Sequence, residues 1–258
     1  MSDSRAPWAS PDADPTLPLD VGQPRPAAPP ARPPRRARGA AVRVGKAALK
    51  LFAAYYVFCL ILLAAYRFVP PPTTGVQVQR RVEAWLGRRE YDKRREVVPL
   101  ASLPPHVARA VVAAEDGRFW THHGFDWEEM RNARRDAAER GRVRGASTIT
   151  QQLMKNLFGC ACRNPVRKLY DLALTPPAEL ILGKERILEL YLNQVEWGDG
   201  VYGVEAAARH HYGVSAKRLS RSQAAGLAAL LPNPRRRTPD NTGWYRREIL
   251  RRMRHRGW

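Results

Sequence analysis

The sequence predicts a mainly α-helical domain carried behind a single N-terminal transmembrane helix. Three observations predict it. Apolar residues recur at helical spacing in successive segments, no alternating strand pattern runs for more than a few residues, and a twenty-residue apolar stretch with one charge stands ahead of the helical part. At 258 residues and 44% hydrophobic, the chain is long and apolar enough to bury a core. Its 44 Lys+Arg against 24 Asp+Glu leave a formal net charge of +20, which excludes an acidic solvating protein. Such a balance implies an anionic partner, whether nucleic acid, an acidic membrane surface or a phosphorylated substrate.

In chain order, residues 1–46 are dominated by Pro, Ala and Arg and cannot form a core, so they read as a disordered cytoplasmic tail. Residues 47–67 read as the transmembrane helix. The run from Ala47 to Tyr66 spans a bilayer core of about 30 Å, with Lys50 near its start where it can snorkel. It is long for the apolar part of a signal peptide, starts late, and has no clear A-x-A site after it. Arg32, Arg35, Arg36, Arg38, Arg43, Lys46 and Lys50 flank the N-terminal side, whereas Arg67, Arg80 and Arg81 are the nearest cations on the other. That asymmetry places the tail in the cytoplasm and residues 68–258 in the periplasm or outside the cell. It argues against nucleic acid as the partner of the folded part.

The folded part opens its helices with Val107, Ala110, Val111 and Ala114 on one apolar stripe after a proline start. A second stripe carries Ile187, Leu188, Tyr191, Leu192 and Val195. A third helix closes at Gly213, and a fourth begins at Ser220 with Gln223 in capping-box spacing and is stopped by Pro232. Pro176 and Pro177 are expected to break or kink any helix that runs through them. Of the three cysteines, Cys59 lies in the apolar run. Cys160 and Cys162 have one residue between them, which is not a zinc-ligand spacing and leaves a local disulfide or two idle thiols.

Two segments carry the chemistry. Glu115 and Asp116 stand at the exit of an apolar helix, where the negative end of the helix dipole and apolar neighbours both raise a carboxyl pKa toward general-base range. The plainer reading makes them solvated turn residues. His122 and His123, beside Asp126, read as structural support rather than metal ligands. In "GASTITQQLMKN", Thr148 and Gln151 fit a capping box, and Thr148, Gln151, Gln152 and Lys155 share one face, opposite Ile149, Leu153 and Leu157. Two amides and an ammonium on one face suit sugar hydroxyls and a phosphate. Next, Arg163, Arg167, Lys168 and Asp171 form either a helical ion pair or a cationic pocket for a diphosphate.

These residues together resemble a known family. "EDGRFWTHHG" is similar to the ED-x-x-F-x-x-H-x-G motif of the peptidoglycan glycosyltransferases, which occur as the first domain of bifunctional penicillin-binding proteins and as monofunctional enzymes. "GASTITQQLMKN" matches that family's second motif, and "RKLYD" resembles its third, R-K-x-x-E. "ILELYLNQVEWGDGVYGVEAAARHHYG" and "LSRSQAAGLAALLPNP" resemble its fourth and fifth, in order across about 130 residues.

The resemblance implies a lysozyme-like, two-lobed fold with a small membrane-hugging jaw. It implies polymerisation of lipid II into β-1,4-linked glycan, with inversion and release of undecaprenyl diphosphate. On this footing Glu115 is the general base, and Ser147, Thr148, Gln151, Gln152, Lys155 and Asn156 bind substrate with Arg163, Arg167 and Lys168. Asp171 stands where the family has its second glutamate, one methylene shorter, and Gln223 stands where a glutamate is common. No metal site is expected in the protein itself, although a divalent cation, Mg or Mn, could accompany the diphosphate. The implied partners are lipid II, lipid-linked glycan and an anionic membrane surface, with penicillin-binding and division proteins as further candidates. Only 24 residues follow Pro234, too few for a transpeptidase domain. Asp171 supports one alternative, a catalytically weakened lipid II-binding scaffold. A hydrolase of finished glycan would share the fold but would not need the second motif.

Overall fold

The computed structural model describes residues 35–141, 145–162 and 164–258. The chain divides into two units at Lys50/Leu51, and the architecture below concerns the second. Helix α1 covers Arg35–Tyr66, so helix begins at Arg35 rather than at Ala47. Ala, Arg and Val in that stretch are compatible with helix, and no Pro follows position 34 until Pro70. Its segment Arg43–Tyr66 is the one helix among the described residues long and apolar enough to cross a membrane.

The domain is built from α2 (Gly75–Leu86), α3 (Pro105–Glu115), α4 (Trp127–Arg140), α5 (Ile149–Phe158), α6 (Pro165–Gln194), α7 (Val204–Tyr212), α8 (Arg221–Ala228) and α9 (Gly243–His255). Helix α3 is the core helix. Val107, Ala110 and Val111 of the expected stripe are buried, and so are Val112 and Ala113, because α8 and α9 cover its other side. Helices α5 and α6 pack most extensively against each other. Gly213 closes α7 in the left-handed conformation, and Ser220 and Gln223 form both halves of the capping box of α8. Helix α8 ends at Ala228, and turns carry the chain on to Pro232.

Helix α6 corrects one expectation. Pro176 and Pro177 sit inside it without breaking it; the break falls at Gly183, with φ 74° and ψ 165°. Each proline removes an N–H that would bond four residues back. The Tyr56 hydroxyl donates to one carbonyl left without its partner, Ala173 O, at 3.0 Å. Glycine alone adopts the backbone at Gly183 cheaply.

The sheet is small: β1 (Arg94–Arg95) runs parallel to β3 (Val201–Tyr202), which pairs antiparallel with β2 (Glu196–Gly198). Strands of two and three residues leave no alternation to read. Gly200, at φ 74°, turns β2 into β3, and a Cβ there would stand 2.4 Å from Asp92 O.

Candidate active site

Glu115 ends α3, in its last turn as expected. The α3 carbonyls there are capped from α9: the Tyr245 hydroxyl donates to Ala114 O at 3.0 Å and Arg252 to Ala113 O at 3.3 Å. The Glu115 carboxylate Oε2 accepts from Gln152 Nε2 at 2.8 Å, and Gln152 Oε1 accepts from the buried Tyr191 hydroxyl at 2.8 Å. That second bond fixes which way the Gln152 amide points. Burial pushes the Glu115 carboxyl above its ordinary range, and Asp116 adds to the push; Gln152, Lys155 and Arg237 oppose it.

Asp116 does different work from its neighbour. It is buried, and its carboxylate accepts from Ile149 N at 2.9 Å and from His122 Nε2 at 2.9 and 3.0 Å. His122 Nδ1 accepts from Gly124 N at 3.1 Å, so its proton lies on Nε2. A carboxylate on the first N–H of α5 also meets the positive end of that helix. Asp116 thus ties the end of α3 to the start of α5 and sets Glu115 opposite Gln152. Asp116, His122 and Asp126 bring ligand atoms within 4.8 Å of one another. All three are consumed by protein partners, Asp126 by capping α4 at Glu129 N, 2.9 Å away. Neither acid of the pair is therefore a solvated turn residue. Asp116→Ala is expected to cost about 3 kcal/mol, because it strands a buried His122 and a helix N–H. Urea unfolding of the full chain checks this.

Helix α5 presents only part of its expected polar face. Thr148 Oγ1 caps it, accepting from Gln151 N at 3.3 Å, but Gln151 does not return to the cap. Its Nε2 donates to Gly124 O at 3.3 Å and its Oε1 accepts from Lys168 Nζ at 3.2 Å, so only half of the capping box forms. The two glutamines therefore part: Gln152 holds Glu115, whereas buried Gln151 holds Lys168. Ser147 Oγ also accepts from Lys168, at 3.1 Å, and buried Asn156 donates to Gln152 O at 2.8 Å. The Lys155 ammonium has no hydrogen bond or ion pair among the described residues. Burial pulls its ammonium pKa down, and Arg167 adds to this.

On α6, Arg167 pairs with Asp171 Oδ2 and donates Nε to Cys162 O at 3.0 Å. Asp171 Oδ1 is buried with no partner among the described residues, and burial pushes that carboxyl up against Arg167, Lys168 and Lys155. Cys160 and Cys162 are paired as a disulfide. Arg163 lies outside the described residues. Glu115, Ser147 and Thr148 line one hollow of about 510 Å³; Gln152, Lys155 and Asn156 line another of about 160 Å³. Glu115 and Gln152, joined by a hydrogen bond, stand at the two hollows.

Helix α9 is not among the elements expected from the sequence. Ile249 and Met253 bury it, and Tyr245 and Arg252 reach α3 from it. Their i, i+4, i+8 spacing from Tyr245 was the available signal.

A sequence profile described as "Transglycosylase" matches residues 81–255. The biosynthetic peptidoglycan transglycosylase of Ectopseudomonas mendocina (strain ymp) is 46% identical over 188 residues, covering 73% of this chain and 78% of its own. The protein of that name from Pseudomonas fluorescens (strain SBW25) is 47% identical over 181 residues, covering 70% and 75%. The one from Pseudomonas putida (KT2440) is 42% identical over 198 residues, covering 74% and 84%. With the profile spanning most of the folded part and identities of this size over most of each relative, the chain belongs to the transglycosylase family.

Proposed function

We propose that the chain is a peptidoglycan glycosyltransferase that polymerises lipid II into β-1,4-linked glycan strands and releases undecaprenyl diphosphate. The observation that carries the reading is the buried Glu115 carboxylate on Gln152, with the unpaired Lys155 ammonium on the same helix face as Gln152. Glu115 takes the proton of the acceptor's 4-hydroxyl as that oxygen attacks the donor's anomeric carbon. The anomeric bond to the diphosphate breaks on the opposite face, which inverts the centre. Lys155, Arg167 and Lys168 neutralise the charge that develops on the leaving diphosphate. A carboxyl raised by burial is the better base near neutral pH, because its conjugate acid is weaker.

Among the described residues, the set at the diphosphate is Asp171 Oδ1, a carboxylate oxygen with no partner, and the cations Lys155, Arg167 and Lys168. A Mg or Mn ion accompanying the substrate would be held by Asp171 Oδ1 together with diphosphate oxygens and would offset their charge, and no step here is routed through one. We further place the domain on the outer face of the cytoplasmic membrane, with helix α1 as the anchor and its N-terminus inside. Val78, Val82, Trp85 and Leu86 make an exposed apolar stripe on α2 that supports contact with lipid.

Asp171→Glu tests the shorter carboxylate. The expected result is activity within about threefold of the parent or above it, since one methylene carries the acid toward the diphosphate. A loss of more than about tenfold in initial rate would show that α6 is tuned to aspartate. The function itself is tested by incubating the full-length protein in detergent with labelled lipid II. Long glycan chains support the reading, whereas binding without chains would return the scaffold alternative. New reducing ends from finished peptidoglycan would indicate a hydrolase.

A further inference from the structure

Glu196 opens β2, directly after α6, and the reaction outlined above does not use it. It is 7% exposed. Arg80, from α2, donates Nε to its Oε2 at 3.3 Å while pairing through NH1 with Glu83 at 2.9 Å. The other oxygen, Oε1, is buried with no hydrogen-bond partner among the described residues. A buried carboxylate oxygen without a donor is costly, and native structures rarely keep one without a reason. Burial pushes the Glu196 carboxyl up, against the pull of Arg80 and Arg235.

The reason lies in what Glu196 borders. It lines the hollow of about 160 Å³ that Gln152 and Lys155 also line. One wall of this hollow therefore carries an unpaired ammonium, and another carries a hydrogen-bond acceptor held by an arginine. Phosphate oxygens accept and do not donate, so a diphosphate is drawn to Lys155 and repelled from Glu196. Hydroxyl and amide hydrogens are drawn the other way.

We propose that Glu196 is a substrate-binding residue whose Oε1 accepts a hydrogen bond from a hydroxyl or acetamido N–H of the aminosugar next to the diphosphate, with Arg80 as its positioning residue. The assignment rests on the lipid II reading above and orients that substrate in the cleft.

Equilibrium binding separates the two claims. It is measured with full-length protein in detergent, in the Glu115→Gln background so that no turnover intervenes, for lipid II and for undecaprenyl diphosphate without sugars. Glu196→Ala is expected to weaken lipid II binding about tenfold and to leave the sugar-free lipid unchanged. Glu196→Gln, whose amide oxygen still accepts, is expected to stay within about threefold for both. If Glu196→Ala does not fold, Glu196→Leu fills the same volume without an acceptor and gives the same comparison. Unchanged lipid II binding in the Ala or Leu protein overturns the proposal, as does an equal loss for the sugar-free lipid, which would mark a purely structural ion pair. Failure of the parent protein to make glycan would instead count against the polymerase reading, and the binding ratios would still decide Glu196.

Discussion

Glu115→Gln is expected to lower the rate of glycan polymerisation by roughly 10²- to 10⁴-fold, the range a positioned general base supplies. The fold should survive, because a glutamine oxygen still accepts from Gln152 Nε2, which holds the parent carboxylate at 2.8 Å. The stability change has a definite sign. Burial raises the Glu115 carboxyl in the folded state above its ordinary value of 4.5. The folded protein therefore binds that proton more tightly than the unfolded chain does. Its relative stability is greatest below pH 4.5 and falls as pH rises through the folded value. Glutamine carries no such penalty, so the variant should melt higher than the parent at pH 8 and match it at pH 4. An inactive protein that melts lower at pH 8 would point to a structural role for Glu115 instead.

Lys155→Met is expected to reduce kcat/KM by roughly 10²- to 10³-fold, because on the proposed reading it removes the cation that neutralises the leaving diphosphate. Met fills similar volume with apolar atoms, and losing a buried charge should hold or raise the melting temperature. The contrast with Asp116→Ala is diagnostic. That change should reduce stability first and activity only as a consequence, since Asp116 touches Ile149 and His122 rather than the cleft cations.

Much of this site could be read without coordinates because its signals are local. The last turn of α3 follows from the spacing of Val107, Ala110 and Val111, and the caps of α7 and α8 follow from single residues at fixed offsets. Non-local partners were not readable. Glu115 and Asp116 are adjacent carboxylates with the same local pattern, and only the approach of Ile149 and His122 tells the proposed base from the brace. Gln151 and Gln152 look interchangeable on a helical wheel, yet Gly124 and Lys168 claim one and Tyr191 the other. Pro176 and Pro177 carry a strong breaking tendency that burial on α5 and the Tyr56 hydroxyl override, while Gly183 breaks α6 instead. The three short strands fall below the length at which alternation exists, so no local signal marks Glu196.

The account's central claim is that Glu115 acts as the general base with its carboxyl raised by burial. The dependence of kcat/KM for lipid II on pH tests it most directly. A base must be deprotonated to act, so the rate should rise with pH along an acid limb whose midpoint lies above 4.5. The lowered ammonium pKa values of Lys155 and Lys168 should start the alkaline decline below 10.5. In the Glu115→Gln protein the residual rate should lose the acid limb and keep the alkaline one. A parent profile whose acid limb sits at or below 4.5, or an acid limb that persists unchanged in the Gln protein, would contradict the assignment.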